Sequence, residues 1–379
     1  MEQLKIPFNK PYLAGKELKY IKKAVELGQI SGDGFFTKKC HSFFETRYDF
    51  RKTLLTTSCT DALEMAAILC DVKPGDEIIV PSFTFVSTAN AFVLRGAKII
   101  FADSRSDHPN IDADGLEQLI NHKTKAIVVV HYGGIACEMD KIMTIAKKNE
   151  LFVIEDAAQS IDSFYKDQPL GSLGHFSTFS FHETKNIISG EGGMLVLNDK
   201  TYIKRAEIIR EKGTNRSSFF RGEIDKYGWV DIGSSFLPSE LNAAFLFAQL
   251  ESLDTIQEKR KVLFRYYHEH LKPLADNGYF SIPGTPVYAT NNAHIFYLVC
   301  TSLKERNDLI EHLKSKGIYA VFHYLPLHQS DFFKSQFNGS ELPNALHFSE
   351  KIIRLPLYPD LTSQDQDYII TEVKRFYIR

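Results

Sequence analysis

The sequence predicts an α/β fold with a mostly parallel central sheet and helices on both faces. From about residue 53 to residue 197, short apolar runs alternate with helical patterns, as expected where helices connect parallel strands. Asp103, His131 and Asp156 each follow an apolar run, and ligands of such sheets bind at the carboxyl ends of strands. The predicted strands are residues 77–80, 97–101, 126–130 and 151–154, and residues 139–148 form a predicted crossover helix.

A smaller α+β unit is predicted for the C-terminal third of the chain. A long helical pattern from about residue 238 to residue 274 leads into it, with apolar side chains spaced along one helix face. We therefore expect a large domain of residues 1–250 and a small domain of residues 251–379, with the first thirty residues packed on either domain or on a partner subunit. The elements predicted in the small domain are strands at 293–300 and 319–323 and a helix at 305–316.

Composition excludes several classes of protein. The 379 residues are 44% apolar and 24% charged, which is ordinary for a globular protein. A net charge of −2 provides no general attraction for nucleic acid or an anionic membrane. The five cysteines are scattered without metal-ligand spacing, and no apolar run reaches the length of a membrane span. These features predict a cytoplasmic enzyme that binds no metal, nucleic acid or membrane.

Two charged residues carry the main functional prediction. Asp156 ends an apolar strand, and Lys185 ends another before the flexible run 189–193. An enzyme that uses pyridoxal 5'-phosphate (PLP) needs both, because the lysine forms a Schiff base with the cofactor aldehyde and the carboxylate keeps the ring nitrogen protonated. Taken singly, a solvated lysine on a loop and a helix-capping aspartate are the more common explanations of these residues. The pair in this order predicts that Lys185 and Asp156 are catalytic.

Two segments are candidates for binding anions. Residues 56–64 follow a strand and open a helix, where backbone N–H groups and small hydroxyls bind phosphate, although plain N-capping by Ser58 or Thr60 explains them too. Residues 211–226 form a basic and polar cluster, whose arginines suit a diphosphate clamp for a nucleotide-linked sugar. A solvated loop is the alternative for this cluster. Its candidate substrate contacts are Arg216, Arg221 and Lys226.

The residues around Asp156 and Lys185 resemble those of the DegT/DnrJ/StrS-type nucleotide-sugar aminotransferases. The resemblance extends over nearly the whole chain, from residues 6–9 to residues 355–359. The resemblance implies a PLP-dependent transferase of the aspartate aminotransferase fold (fold type I). Within the family, residues 31–37, 181–186 and 231–237 are similar to WecE-type dTDP-4-amino-4,6-dideoxygalactose transaminases. That similarity implies the conversion of dTDP-4-keto-6-deoxy-D-glucose and L-glutamate to dTDP-4-amino-4,6-dideoxy-D-galactose and 2-oxoglutarate, for cell-surface polysaccharide. The D-glucose epimer and a 3-amino sugar stay open as products.

The resemblance also assigns residues to the cofactor. Cys59 and Thr60 take the place of the Gly-Thr pair that grips the cofactor phosphate, and Ser180 matches a second phosphate ligand. Phe85 matches the aromatic residue over the pyridine ring, and Gln159 matches the residue on its opposite side.

Further assignments reach the substrate and the partner subunit. Ser235 takes the place of an asparagine that relatives contribute to the partner's cofactor phosphate, which implies a homodimer with shared active sites. His323 and Tyr324 match a segment near the active site and are candidate substrate contacts. His182, close to Lys185, has either a role in proton transfer or a structural role.

Two other functions are compatible with the same scaffold. Sugar dehydratases of this type carry histidine in place of the lysine, so Lys185 argues against dehydration. A non-catalytic binding or regulatory relative would not need Asp156, Gln159, Ser180 and Lys185 together.

Overall fold

The computed structural model describes residues 5–282 and 284–378. Its central feature is a seven-stranded sheet in the order β1-β9-β8-β5-β4-β2-β3, whose four inner pairings from β8 to β3 are parallel. The two pairings that involve β9 are antiparallel. The strands are β1 (Lys52–Thr56), β2 (Glu77–Pro81), β3 (Lys98–Ala102), β4 (Thr124–Val130), β5 (Phe152–Asp156), β6 (Phe164–Tyr165), β7 (Gln168–Pro169), β8 (Phe176–Ser180), β9 (Gly193–Leu197), β10 (Phe280–Ser281), β11 (Phe296–Cys300), β12 (Val321–Phe322) and β13 (Ile352–Leu355). The predicted mostly parallel sheet is confirmed.

Helices cover both faces of this sheet. On one face α3 packs against the strands through side chains such as Leu63 and Ala66, and on the other α5 packs through Ile142 and Ile145. The helices are α1 (Glu17–Glu26), α2 (Phe35–Tyr48), α3 (Cys59–Leu69), α4 (Ser87–Val93), α5 (Met139–Lys148), α6 (Ile203–Arg210), α7 (Arg216–Phe220), α8 (Glu240–Leu250), α9 (Leu253–Asp276), α10 (Leu303–Ser315), α11 (Pro343–Lys351) and α12 (Ser363–Tyr377). No helix of the described chain is long and apolar enough to cross a membrane.

The predicted helical stretch from 238 to 274 is two helices. Helix α8 ends at Leu250 and α9 begins at Leu253. At this junction the Glu251 carboxylate accepts hydrogen bonds from Lys16 (3.0 Å) and from the Tyr20 hydroxyl (2.7 Å), which attach it to the N-terminal segment.

The C-terminal part contains a second, antiparallel sheet in the order β10-β11-β13-β12. It packs on α9, α10 and α12 through a core that includes Tyr267, Leu309 and Ile369. A division into two domains near residue 250 stays a prediction, because Ile295 and Phe348 join the core of the large sheet.

The segment 31–37 has a clear structural role. Gly34, Phe36 and Thr37 donate backbone hydrogen bonds of 2.7–3.0 Å to the buried Glu240 carboxylate, which therefore caps the start of α2. Asp33 accepts two hydrogen bonds from the Arg210 guanidinium, at 2.6 and 2.7 Å. These contacts attach the start of α2 to α8 and α6.

Candidate active site

A cavity of about 570 Å³ opens at the carboxyl ends of β4, β5 and β8. Its walls come from the N-terminal segment, the large sheet and the C-terminal sheet together. The polar and charged residues that line it include Asn9, Ser58, Cys59, Thr60, Ser87, Asp156, Gln159, Ser180, His182, Lys185, Glu191, Arg260, His294, His323, Tyr324 and Arg354.

Asp156 is the last residue of β5 and is buried in the cavity wall. Its Oδ2 accepts a hydrogen bond of 2.7 Å from the Thr88 hydroxyl, and its Oδ1 accepts one of 3.2 Å from the backbone N–H of Ala158. Burial raises the pKa of Asp156, while these two hydrogen bonds and the charge on Lys185 act in the opposite direction. The carboxylate is therefore fixed in orientation, and its charge is balanced by nearby donors.

Lys185 lies in the loop between β8 and β9. The loop is closed by backbone hydrogen bonds from Glu183 to Gly190 (2.9 Å) and from Ser189 to Phe181 (2.7 Å). Burial lowers the pKa of the Lys185 ammonium below its ordinary value. A lysine that loses its proton more easily is a better nucleophile toward an aldehyde and a better base.

The start of α3 supplies an anion-binding cradle. The Ser58 hydroxyl caps the helix by accepting a hydrogen bond of 3.1 Å from the Asp61 N–H, so the capping alternative for Ser58 is confirmed. The hydroxyls of Thr60 and Ser87 lie 2.8 Å apart at the cavity wall. Backbone N–H groups of a helix start, together with these hydroxyls, provide donors for a phosphate.

Gly193 determines how closely β9 approaches this cradle. A Cβ atom at this position would lie 2.3 Å from the carbonyl carbon of Ser58 and 2.4 Å from the nitrogen of Cys59. Only glycine allows this approach without a backbone shift.

The side walls of the cavity are aromatic and polar. Phe85 is 56% exposed, and its ring centroid lies 6.2 Å from that of Tyr324. Gln159 is held by the Gly133 N–H, which donates to its Oε1 at 2.7 Å, and its amide donates to the Tyr324 hydroxyl at 3.2 Å. The His323 ring lies against the Tyr324 ring, with centroids 3.4 Å apart and an angle of 32° between the ring planes. An exposed Phe85 face and a fixed Gln159 suit a planar ligand between them.

Two other residues predicted at strand ends have structural roles. The Asp103 carboxylate accepts backbone hydrogen bonds from Asn344 (3.1 Å) and Ala345 (2.7 Å) at the start of α11. His131 lies with its Nε2 3.0 Å from the Glu155 carboxylate in the fully buried core. Neither side chain lines the cavity.

The predicted diphosphate clamp and Ser235 do not line the cavity of their own chain. Ser235 is exposed and forms an isolated backbone bridge with Glu211. Arg221 pairs with Glu207 (2.9 Å) and Glu223 (2.7 Å) instead of lying free for a ligand. Arg216 and Lys226 are exposed on the same surface.

The sequence analysis missed two arginines of the cavity. Arg260 donates to the backbone oxygens of Ala293, His294 and Leu357 at 2.6–3.3 Å, and burial lowers its pKa to about 9. Arg354 lies in β13, opposite Tyr297 of β11. No motif marks either residue in the sequence, because each enters the cavity only through long-range packing.

Arg354 has no carboxylate within 4 Å among the residues that the structure describes. Its buried Nε has no hydrogen-bond partner there. Burial lowers the pKa of Arg354, yet a guanidinium stays charged at neutral pH. Within the same described ranges, no group of three or more histidine, cysteine, aspartate or glutamate side chains is placed to hold a metal ion.

A lysine with a lowered pKa, a buried carboxylate and the hydrogen-bond donors of a helix start meet around one cavity, and these are the groups that a PLP-dependent aminotransferase of fold type I uses. The chain belongs to the DegT/DnrJ/EryC1/StrS aminotransferase family, whose model matches residues 11–374. It is 30% identical to the spore coat polysaccharide biosynthesis protein SpsC of Bacillus subtilis, over 97% of this chain and 96% of SpsC. It is also 30% identical to GDP-perosamine synthase of Escherichia coli O157:H7, over 98% of both chains.

Solved structures agree with this assignment. The PLP form of Spr1654 from Streptococcus pneumoniae superposes with a TM-score of 0.90 at 27% identity, covering 98% of each chain. The fold, the use of PLP and the transaminase activity are thereby established for this chain.

The residues of the cavity fit the cofactor. The α3 start, with Cys59 and Thr60, and the Ser180 hydroxyl would hold its phosphate, and Phe85 and Gln159 would flank its ring. Cys59 keeps the backbone N–H groups of a Gly-Thr turn, and burial raises the pKa of its thiol, so the thiol stays neutral beside an anion. When bound, PLP supplies an electron sink for charge that develops at the amino-bearing carbon.

Proposed function

We propose that this enzyme transfers an amino group from L-glutamate to C4 of dTDP-4-keto-6-deoxy-D-glucose, giving dTDP-4-amino-4,6-dideoxy-D-galactose and 2-oxoglutarate for cell-surface polysaccharide. Lys185 holds the cofactor covalently and, once displaced, its Nζ moves a proton at the amino-bearing carbon. Asp156 keeps the ring nitrogen protonated. One observation carries the assignment of these roles: Asp156, at the end of β5, and Lys185, in the loop that follows the neighbouring strand β8, line the same cavity.

The environment of the pair supports these roles. Burial lowers the pKa of Lys185, which favours the neutral amine that accepts a proton. Thr88 and Ala158 donate to the two oxygens of Asp156 and favour its ionised form. A carboxylate that stays ionised stabilises a protonated ring nitrogen through its charge.

Arg354 supports an α-amino acid such as L-glutamate as the amino donor. Its guanidinium lines the cavity without a carboxylate partner in the described residues. A planar guanidinium binds carboxylates through two parallel hydrogen bonds. The carboxylate of the amino-donor substrate, bound at Arg354, would compensate the charge of this guanidinium. It would also direct the amino group of the substrate toward Lys185.

The proposed nucleotide and sugar rest on the similarity of residues 31–37, 181–186 and 231–237 to WecE-type enzymes. The galacto product requires that the ketone present one defined face to the cofactor, and a displacement of about 1 Å strongly affects such reactive geometry. His323 and Tyr324, which line the same cavity as Lys185, are the proposed contacts of the sugar.

A homodimer with shared active sites is part of this proposal. The segment 216–235 exposes a series of large apolar side chains, of which Trp229 is 84% exposed. Contiguous exposed apolar surface marks interaction sites, and a second copy would bring Ser235, Arg216, Arg221 and Lys226 toward a neighbouring cavity. The exposed apolar residues are Phe219, Phe220, Tyr227, Trp229, Val230 and Ile232. The free cysteines support a cytoplasmic location, since a reducing compartment leaves thiols unpaired.

The synthesis of GDP-perosamine is a second candidate function. It is favoured by the 30% identity to GDP-perosamine synthase over 98% of both chains. The two candidates differ in the nucleotide that carries the sugar, while the proposed role of Lys185 is the same.

Product analysis tests the proposal. Purified enzyme with L-glutamate is incubated separately with dTDP- and GDP-linked 4-keto-6-deoxy sugars and with a 3-keto sugar, and the products are identified by NMR. We expect amination of the dTDP substrate at C4, with the small H3–H4 coupling of an axial amine. A large coupling indicates the gluco epimer, and turnover of the GDP substrate alone identifies the second candidate. The Lys185→Ala variant is the negative control in each incubation.

A further inference from the structure

The N-terminal segment contributes to the active site. Phe8 and Asn9 line the cavity that contains Lys185 and Asp156. The centre of the Phe8 ring lies 4.5 Å from the Arg354 guanidinium carbon, within the range of a cation–π interaction. One face of this guanidinium therefore rests on an aromatic ring.

The segment is anchored on both sides of Phe8. Ile6 exchanges backbone hydrogen bonds of 3.0 Å with Gly317 and Tyr319 beside the C-terminal sheet. The Asn9 side-chain amide donates a hydrogen bond of 3.1 Å to the backbone oxygen of Glu183, in the loop that carries Lys185. With both ends attached, the Phe8 ring has little freedom to leave Arg354.

We propose that Phe8 is a positioning residue for the amino donor: its ring holds the Arg354 guanidinium so that the N–H groups face the cavity and bind the donor carboxylate. The inference rests on the role of Arg354 in the proposed function. A stacked guanidinium keeps its in-plane N–H groups available, whereas a carboxylate partner from the protein would occupy them. The ring thus orients the cation without competing with the ligand.

The two half-reactions give the discriminating readout. Donor affinity is measured from the change in cofactor absorbance as L-glutamate is titrated without sugar, and sugar KM is measured at saturating glutamate. Phe8→Leu removes the ring but keeps an apolar side chain, and Phe8→Tyr keeps the ring. For Phe8→Leu we expect the Kd of L-glutamate to rise about tenfold, the order of magnitude of a partly desolvated cation–π contact. Phe8→Tyr should stay within about twofold of the wild type, and the sugar KM and the absorbance of the resting enzyme should not change.

Arg354→Gln separates the two proposals. If Arg354→Gln weakens L-glutamate and Phe8→Leu does not, the positioning role is wrong while the anchoring role of Arg354 stands. If Arg354→Gln leaves the Kd of L-glutamate unchanged, both the anchor and the inference from it are overturned. A Phe8→Leu variant that loses glutamate and sugar affinity equally also overturns the inference, because a general structural defect explains it.

Discussion

Thr88 and Asp156 are joined by a hydrogen bond of 2.7 Å from the threonine hydroxyl to Oδ2, and the Thr84 hydroxyl lies 2.8 Å from the same threonine oxygen. The three residues form a buried chain of hydrogen bonds that ends at the proposed contact of the cofactor ring nitrogen. Because a hydroxyl that donates to a carboxylate stabilises its charged form, Thr88 is expected to control the ionisation of Asp156.

Thr88→Val is expected to move the acidic limb of the kcat profile to higher pH. Burial raises the pKa of Asp156 and the hydrogen bond from Thr88 lowers it, so loss of the bond raises this pKa further. The ionised form is then lost at a higher pH as the medium is acidified. We expect roughly a tenfold lower kcat near neutral pH, the order of magnitude of one hydrogen bond to a charged group. Thr88→Ser keeps the hydroxyl and is the control, and an acidic limb that does not move would contradict the assignment.

Lys185 is expected to carry the cofactor covalently. Borohydride reduction followed by peptide mapping should place the pyridoxyl group on Lys185, since this lysine lines the cavity together with Asp156. Lys185→Ala should lose turnover and the label, whereas Lys147→Ala, at an exposed lysine of α5, should keep both. Finding the label on another lysine would be incompatible with the proposed site.

Asp156→Asn is expected to impair catalysis far more than folding. The amide fills the same space and can still accept a hydrogen bond, but it carries no charge to balance a protonated ring nitrogen. We expect kcat to fall by roughly two orders of magnitude, as for the loss of other preorganised electrostatic contacts. The midpoint of thermal unfolding, measured by calorimetry, should shift by only a few degrees. Near-normal turnover would show that another group protonates the ring.

Gly193→Ala is expected to weaken cofactor binding. The new methyl group would lie 2.3 Å from the Ser58 carbonyl carbon, so the start of α3 would have to shift away from β9. Such overpacking costs about 1–3 kcal/mol, and here the strain falls on the phosphate cradle. The dissociation constant of PLP, obtained by titrating the cofactor-free protein, should rise. Gly115→Ala, whose Cβ would meet its nearest atoms at 3.6–3.7 Å, is the matched control.

Mixing two inactive variants tests the shared active site. Ser235→Asp places a carboxylate where a phosphate is expected in the partner's cavity, and the position is exposed, so folding should be preserved. When this variant is mixed with the Lys185→Ala variant, hybrid dimers form. In each hybrid dimer, one of the two sites has an intact Lys185 from one subunit and an intact Ser235 from the other. If equal amounts of the two variants exchange subunits at random, about a quarter of all active sites in the mixture should be restored. No recovery, once subunit exchange has been demonstrated by mass spectrometry, would mean that each chain completes its own site.

Local sequence patterns were enough to predict the parallel part of the large sheet. The helix predicted at residues 139–148 is α5, and the apolar run before Asp156 is β5. Apolar periodicity predicts such elements because each helix or strand buries one or both of its own faces, and the buried positions are apolar. Asp156 was predictable for a related reason: parallel strands bring their carboxyl ends to one edge of the sheet. The prediction that Lys185 ends a strand was wrong, because β8 ends at Ser180 and Lys185 lies in the loop after it.

Tertiary structure decided the rest. Arg354 reaches the cavity through the pairing of β13 with β11, and Phe8 reaches Arg354 through the hydrogen bonds of Ile6 with residues about 310 positions later in the chain. Thr88 meets Asp156 across 68 positions. Glu251, at the junction of α8 and α9, contacts Lys16 and Tyr20 of the N-terminal segment more than 230 positions earlier. The sequence determined the strands and helices of the parallel part of the large sheet, because these depend on local periodicity. It also indicated Asp156 and Lys185 as the candidate catalytic pair, through their order in the chain and the residues around them. Which distant side chains orient the two residues was decided only by packing, because such contacts depend on how the two sheets and the N-terminal segment fit together.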